Sequence, residues 1–159
     1  MAKIETFTTN PDLPPDHAIE FINLGASVGL NGVNRKEDVM VVQALLKCAL
    51  ESHPHFKDVK FPEPDGSLTR DLIEIIKKYQ RFNNRKDPIK IPVDGRIDPL
   101  QNGLYVPGKR RFWTILALNA RALETSLLSG GGDPIKAICR RWSAVGAILN
   151  SDDALGLSF

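Results

Sequence analysis

Cysteine is scarce: only Cys48 and Cys139 occur in 159 residues. They stand far apart, so no disulfide framework holds the chain, and both are expected to be structural thiols inside helices. Long apolar runs are also missing. No stretch approaches the roughly 18 residues that a membrane span requires, so membrane insertion is not expected. The first twenty residues lack the apolar centre of a secretory signal, with Asp12, Pro14, Pro15 and Asp16 breaking the pattern. The expectation is synthesis in the cytoplasm, with any passage to the periplasm or cell wall by a signal-independent route. An excess of one charge is absent as well: 21 basic residues face 19 acidic ones, for a net charge of +2. The basic clusters Lys109-Arg110-Arg111 and Arg140-Arg141 are short and read as solvated faces, so nucleic acid is not an expected partner.

Motifs that carry chemistry are missing too. The Gly130-Gly131-Gly132 run lacks the Lys-Ser/Thr ending of a phosphate-binding loop. His53 and His55 flank Pro54, but only Cys48 lies near in sequence, too few ligands for a metal. Neither cysteine is spaced with His17, His53 or His55 as a nucleophile–base pair. Asp94 and Asp98 can meet across a turn, a common arrangement in loops and weak grounds for a glycosidase pair about 5–9.5 Å apart. The chain is therefore expected to be non-catalytic, without metal or cofactor.

What the chain does have is an ordinary globular composition, 42% hydrophobic and 25% charged. A chain of this length buries roughly 70% of the surface exposed when unfolded, enough for a core of its own. The periodicity predicts a mostly α fold in three parts. Residues 1–24 form an extended lead, because Pro11, Pro14 and Pro15 disfavour a helix. Residues 25–128 form the helical domain. Residues 129–159 form a glycine-rich joint followed by an amphipathic helix.

The first helix is expected to start with Asn34 as N-cap and Glu37 three residues on, and to bury Val39, Val42, Leu45, Leu46 and Ala49. The second starts at the cap Thr69, buries Leu72, Ile73, Ile76, Tyr79 and Phe82, and ends at Asn83-Asn84. Ile89, Ile91 and Val93 alternate with polar residues or proline before Asp94-Gly95, which predicts a small β-hairpin returning over Arg96–Pro99. The third helix runs over about 109–127, with Phe112, Ile115, Leu116, Asn119 and Leu123 on one face. After the glycines, Asp133-Pro134 opens a last helix. Its residues Ile135, Ile138, Trp142, Val145 and Leu149 follow at spacings of three and four, a narrow seam.

Three pieces together resemble the peptidoglycan-binding-like family, small three-helix modules of bacterial wall proteins. The first is the glycine loop before Asn34 and the run Asp38-Val39, Val42-Gln43, Leu45-Leu46. The second is Asp65-Gly66 with Thr69 and the aromatic-Gln pair Tyr79-Gln80. The third is Pro92-Val93-Asp94-Gly95-Arg96-Ile97-Asp98-Pro99, followed by the helix carrying Trp113-Thr114-Ile115-Leu116-Ala117-Leu118-Asn119. The resemblance covers about residues 25–124. This chain departs from it at Leu68, where a glycine is common, in the longer stretch 100–111, and in the helix after Gly132.

The resemblance implies a compact three-helix fold and a non-catalytic module that recognises cell-wall material or positions a partner activity on it. Such modules offer a shallow groove of aromatic and polar groups. The expected ligand-binding set is Asp94, Arg96, Asn102 and Tyr105, although Asp94 also reads as a turn former and Tyr105 as a core residue. The alternative is a protein-interaction subunit on the same scaffold: an adaptor, a chaperone, or an immunity or inhibitor protein of a toxin or secretion system. Its partner surface is expected at Ile135, Ile138, Trp142 and Val145, with Trp142 the natural anchor if exposed. The same seam can equally pack on its own domain.

Overall fold

A computed structural model describes residues 1–7, 19–101 and 111–151. The chain is mostly helical, with two short antiparallel strand pairs. Helix α1 spans Lys36–Leu50 and buries the whole expected stripe from Val39 to Ala49. Its start differs from expectation. Arg35 is the cap residue and gives no side-chain hydrogen bond, while Asn34 takes a left-handed conformation, φ 58°. The Asn34 carboxamide turns back into the preceding loop, accepting from Gly29 N–H (2.7 Å) and donating to the Gly29 carbonyl (3.0 Å). Loop closure therefore takes the side chain that capping would have used. Asp38, in the first turn, is fully buried and accepts from Gly25 N–H at 2.9 Å.

Helix α2, Arg70–Lys86, begins as expected, with Thr69 Oγ1 accepting from Leu72 N–H at 3.1 Å. It runs past Asn83-Asn84, because those side chains serve another purpose. Asn84 accepts from Ile91 N–H (2.9 Å) and donates to the Ile91 carbonyl (2.8 Å), and Asn83 donates to the Ile89 carbonyl. This grip overturns the hairpin expected around Asp94-Gly95. The ladder groups of Ile91 are occupied by Asn84, and Pro92 has no N–H to offer. Arg96–Ile97, strand β4, pairs instead with Val28–Gly29, strand β3.

The lead is likewise not a single extended segment. Strand β1, Lys3–Phe7, pairs antiparallel with β2, Ile19–Asn23, in the register Lys3 to Asn23 and Phe7 to Ile19. Helix α3 spans Thr114–Leu128 and buries Ile115, Leu118 and Ala122, leaving Leu123 on the outside. Asn119, expected among the apolar residues of this helix, accepts from Ile22 N–H (2.8 Å) and donates to the Ile22 carbonyl (2.9 Å). Asn23 does the same to Leu100, at 2.8 and 3.3 Å. A carboxamide carries one acceptor and one donor in the geometry of a peptide group. Four asparagines thus act as one-residue strand partners, Asn84 and Asn23 for backbone outside the sheets and Asn119 and Asn34 for Ile22 and Gly29 within two-stranded pairs, which removes the cost of leaving those groups unpaired.

The expected single C-terminal helix is two: α4, Pro134–Arg141, and α5, Ser143–Leu149. Asp133 caps α4 by accepting from Ile135 N–H at 2.9 Å, with Pro134 at the first helical position. The break falls at Trp142, whose backbone is extended, φ −130° and ψ 96°. Helix α1 packs along α3, and α4 and α5 close over α1. Core residues run from Ala2 to Leu149 in one cluster, so the lead and the last two helices share the core of the middle segment.

Candidate functional site

The clearest local construction is a repeated turn. Asp65-Gly66-Ser67 and Asp94-Gly95-Arg96 each follow a helix carrying a buried glutamine, Gln43 on α1 and Gln80 on α2. Gln43 donates to Asp65 Oδ1 (2.9 Å) and to the Ser67 carbonyl (3.2 Å), and accepts from Gly66 N–H (2.9 Å). Gln80 donates to Asp94 Oδ1 (3.0 Å) and to the Arg96 carbonyl (3.0 Å), and accepts from Gly95 N–H (2.9 Å). Each aspartate also accepts from the N–H two residues on, as an Asx turn does. Each middle glycine has positive φ, 81° at Gly66 and 72° at Gly95. Both turns were visible as Asp-Gly pairs, and both glutamines stood in the quoted motifs. Their burial and mutual pairing were not visible.

This construction defines what the expected ligand set can do. Asp94 shapes the turn, with one carboxylate oxygen shared between Gln80 and its own turn. Arg96 lies over Asp98, Nε 2.9 Å from Oδ1 and Nη2 3.3 Å from Oδ2. The Nε contact is close but poorly aligned, so it acts as an ion pair, and Nη2 supplies the hydrogen bond. Both partners are about one-third exposed, so a ligand anion can compete with Asp98 for the guanidinium. The structure thus brings Asp94 and Arg96 to one turn. Asn102 and Tyr105 lie outside the described residues.

The seam expected to bind a partner is not a free surface. Ile135, Ile138, Val145 and Leu149 are buried in the chain's own core. Trp142 is half-buried and donates Nε1–H to Glu63 at 3.0 Å, with Arg141 over its ring. The spacing is amphipathic, and its apolar face closes on α1 because the glycine joint folds α4 back. Glu63 also pairs with Lys47, and those two hydrogen bonds hold its carboxyl below the usual range.

His53 and His55 pack against Phe56 and Phe82, His55 nearly parallel to Phe82 at 4.9 Å. That seat against the rings, and then Arg85 and Lys78, lower the His55 pKa. Burial raises both thiols, Cys48 and Cys139. Among the described residues no three His, Cys, Asp or Glu side chains converge on a metal position, and no helix is long and apolar enough to cross a membrane.

One concavity went unforeseen. A cavity of about 90 Å³ lies between the end of α2 and α3, with Asp87, Phe112, Arg121 and Glu124 in its wall. Beside it the Tyr79 hydroxyl is fully buried without a hydrogen-bond partner, and burial pushes its pKa up. Arg121 Nε is buried and unpartnered as well. Leaving such a group unsatisfied costs roughly 1–3 kcal/mol. Arg121 and Glu124, one helical turn apart, pair at 3.1 Å on the rim of the cavity.

Compared with protein-family models, curated proteins and solved structures, the chain matches none.

Proposed function

We propose that the chain is a non-catalytic, peptidoglycan-binding-like module that recognises bacterial cell-wall material or positions a partner activity on it. One observation carries this reading: the same Gln-clamped Asp-Gly turn occurs twice, on the motifs through which the sequence resembles that family. In this reading α1, α2 and α3 form the three-helix scaffold, and Asp94, Arg96, Asn102 and Tyr105 are the ligand-binding residues. The test is co-sedimentation with isolated peptidoglycan sacculi, wild type against an Arg96→Ala, Tyr105→Ala double variant. Wild-type binding that weakens about tenfold in the variant, a loss near 1.4 kcal/mol, supports the reading. No sedimentation of the wild type at micromolar concentration removes it.

A second reading, a protein-interaction subunit, draws on a different surface from the seam. Leu127 and Leu128 are 65% and 82% exposed at the end of α3. In this reading the two leucines are the apolar contact that a partner covers. A photo-crosslinker at position 127 that captures one defined protein, together with no binding to sacculi, would favour it.

A further inference from the structure

The corner where the 3-10 turn Pro54–Phe56 meets the second half of α2 gathers positive charge with little to balance it. Residues 53–57 and 78–86 hold five of the chain's 21 basic residues, none of its acidic ones and two of its three histidines. Asp58 and Asp87 stand just beyond the edges. The fold brings the two segments together. His55 stacks on Phe82 at 4.9 Å, Arg85 Nη2 lies 3.1 Å from His55 Nε2, and Lys78 Nζ lies 5.5 Å from the centre of the Phe56 ring. Lys78, Arg81 and Arg85 follow at spacings of three and four, so they share one face of α2. Among the described residues none of Lys57, Lys78, Arg81, Arg85 and Lys86 takes part in an ion pair, and all but Lys78 are exposed. The last turn of a helix favours cations, which accounts for Arg85 and Lys86. It does not account for Lys57, Lys78 or Arg81. The seat of His55 against the rings, and then Arg85, Lys78, His53 and Lys86, lower its pKa, as a positive local field does.

The surface lacks what a protein partner grips. Phe56, Tyr79 and Phe82 beneath it are buried, and none of the exposed large apolar side chains falls in these two segments. A protein interface is anchored by aromatic or aliphatic groups, whereas a polyanion binds through charge and the release of its counterions. Positions 78 to 86 cover about 12 Å of α2 at about 1.5 Å per residue, the reach of roughly four phosphates at about 3.4 Å each. We propose that this corner binds the phosphates of a phosphodiester chain laid along α2. A nucleic acid strand and a base-free phosphodiester polymer share that chemistry. The net charge of +2 hides the site, because its cations are split between two segments that only the fold joins.

The experiment is fluorescence anisotropy of a labelled oligothymidylate titrated with the full chain, from about 50 to about 200 mM salt. Saturable binding that weakens with salt is expected. Four phosphates on a single strand give a log–log slope of affinity against salt of about −3. An Arg81→Gln, Lys86→Gln variant should lose about tenfold in affinity at the low-salt end and flatten the slope to about −1.5. Both side chains are exposed, so the fold should hold, and an unchanged melting temperature checks it. Lys136→Gln, Arg140→Gln removes the same charge from the exposed side of α4 and should bind like wild type. An equal loss from that pair would show binding by net charge alone and overturn the site. Equal binding of an abasic strand points to a base-free polymer, and at least tenfold weaker binding points to nucleic acid; both keep the phosphodiester site. Poly-glutamate of matched charge that binds as tightly as the oligonucleotide makes this a surface for acidic protein and overturns the proposal. So does the absence of saturable binding at the low-salt end.

Discussion

The two Asp-Gly turns share one clamp and differ in what surrounds it. The first leads straight into a helix: Ser67 and Leu68 pass to Thr69, which caps α2. The second leads into β4, which pairs with β3, and its glutamine also lies 3.4 Å from Thr114 at the start of α3. Gln80 accepts from two N–H groups, of Asp94 and Gly95, where Gln43 accepts from one. The local motif therefore sets the turn, while the tertiary position sets how much of the fold depends on it. The first clamp joins two consecutive segments. The second ties together α2, the β3–β4 pair and α3.

The largest effect is expected at Gln80. Replacing it with alanine removes one side of five hydrogen bonds, two of them buried (to Gly95 and Thr114), and should cost about 3–4 kcal/mol by urea unfolding. Gln43→Ala removes three, all partly exposed, and should cost about 2 kcal/mol. Equal costs would break the distinction between the two clamps.

The glycines should reverse the order. At Gly66 an added Cβ would stand 2.4 Å from Lys36 Cγ and 3.0 Å from the Lys36 carbonyl oxygen. At Gly95 the nearest atom is Lys77 Cε at 2.9 Å, the movable end of a long side chain. Both alanine variants carry the cost of positive φ, about 1–2 kcal/mol. Gly66→Ala should add about 1 kcal/mol of steric strain, whereas Gly95→Ala should stay near the φ cost alone. Thermal unfolding of the pair checks this, and a costlier Gly95→Ala would contradict the geometry.

The smallest effect is electrostatic. Asp65 is held below its ordinary 3.8, first by the Ser67 N–H and then by Gln43. A carboxyl whose folded pKa is depressed stabilises the fold above its unfolded pKa, and loses that contribution as pH falls through the folded value. Stability should therefore decline as pH drops below about 4, and Asp65→Asn should flatten that part of the profile. A profile unchanged by Asp65→Asn would remove Asp65 from the acid response.

Much of the helical framework was legible because α1 and α2 carry long apolar stripes with few competing signals. Thr69 announced its cap through its place before Leu72 and Ile73. Three departures share a cause: polar residues that sequence rules assign to local roles are recruited by backbone elsewhere in the chain. Asn34 left its cap to close a loop. Asn84 prolonged α2 and removed a hairpin. Asn119 served β2 across 97 residues of sequence. In the candidate site, the Asp-Gly turn and Arg96 were legible as a motif, but Asp98 as the partner of Arg96 required coordinates. The cavity had no sequence signature, because Asp87, Phe112 and Arg121 share no spacing rule.

The sequence by itself determined that this chain is mostly helical, where two of its helices begin, and where its tight turns fall. Those follow from local sterics, capping and apolar periodicity, which act within a few residues. Only the tertiary structure decided which strands pair, that the last apolar seam closes on its own core and breaks at Trp142, and which carboxamides grip which segments. Those outcomes depend on what backbone is left unpaired once the core has formed, and an unpaired buried peptide group takes the nearest satisfactory partner regardless of its distance along the chain.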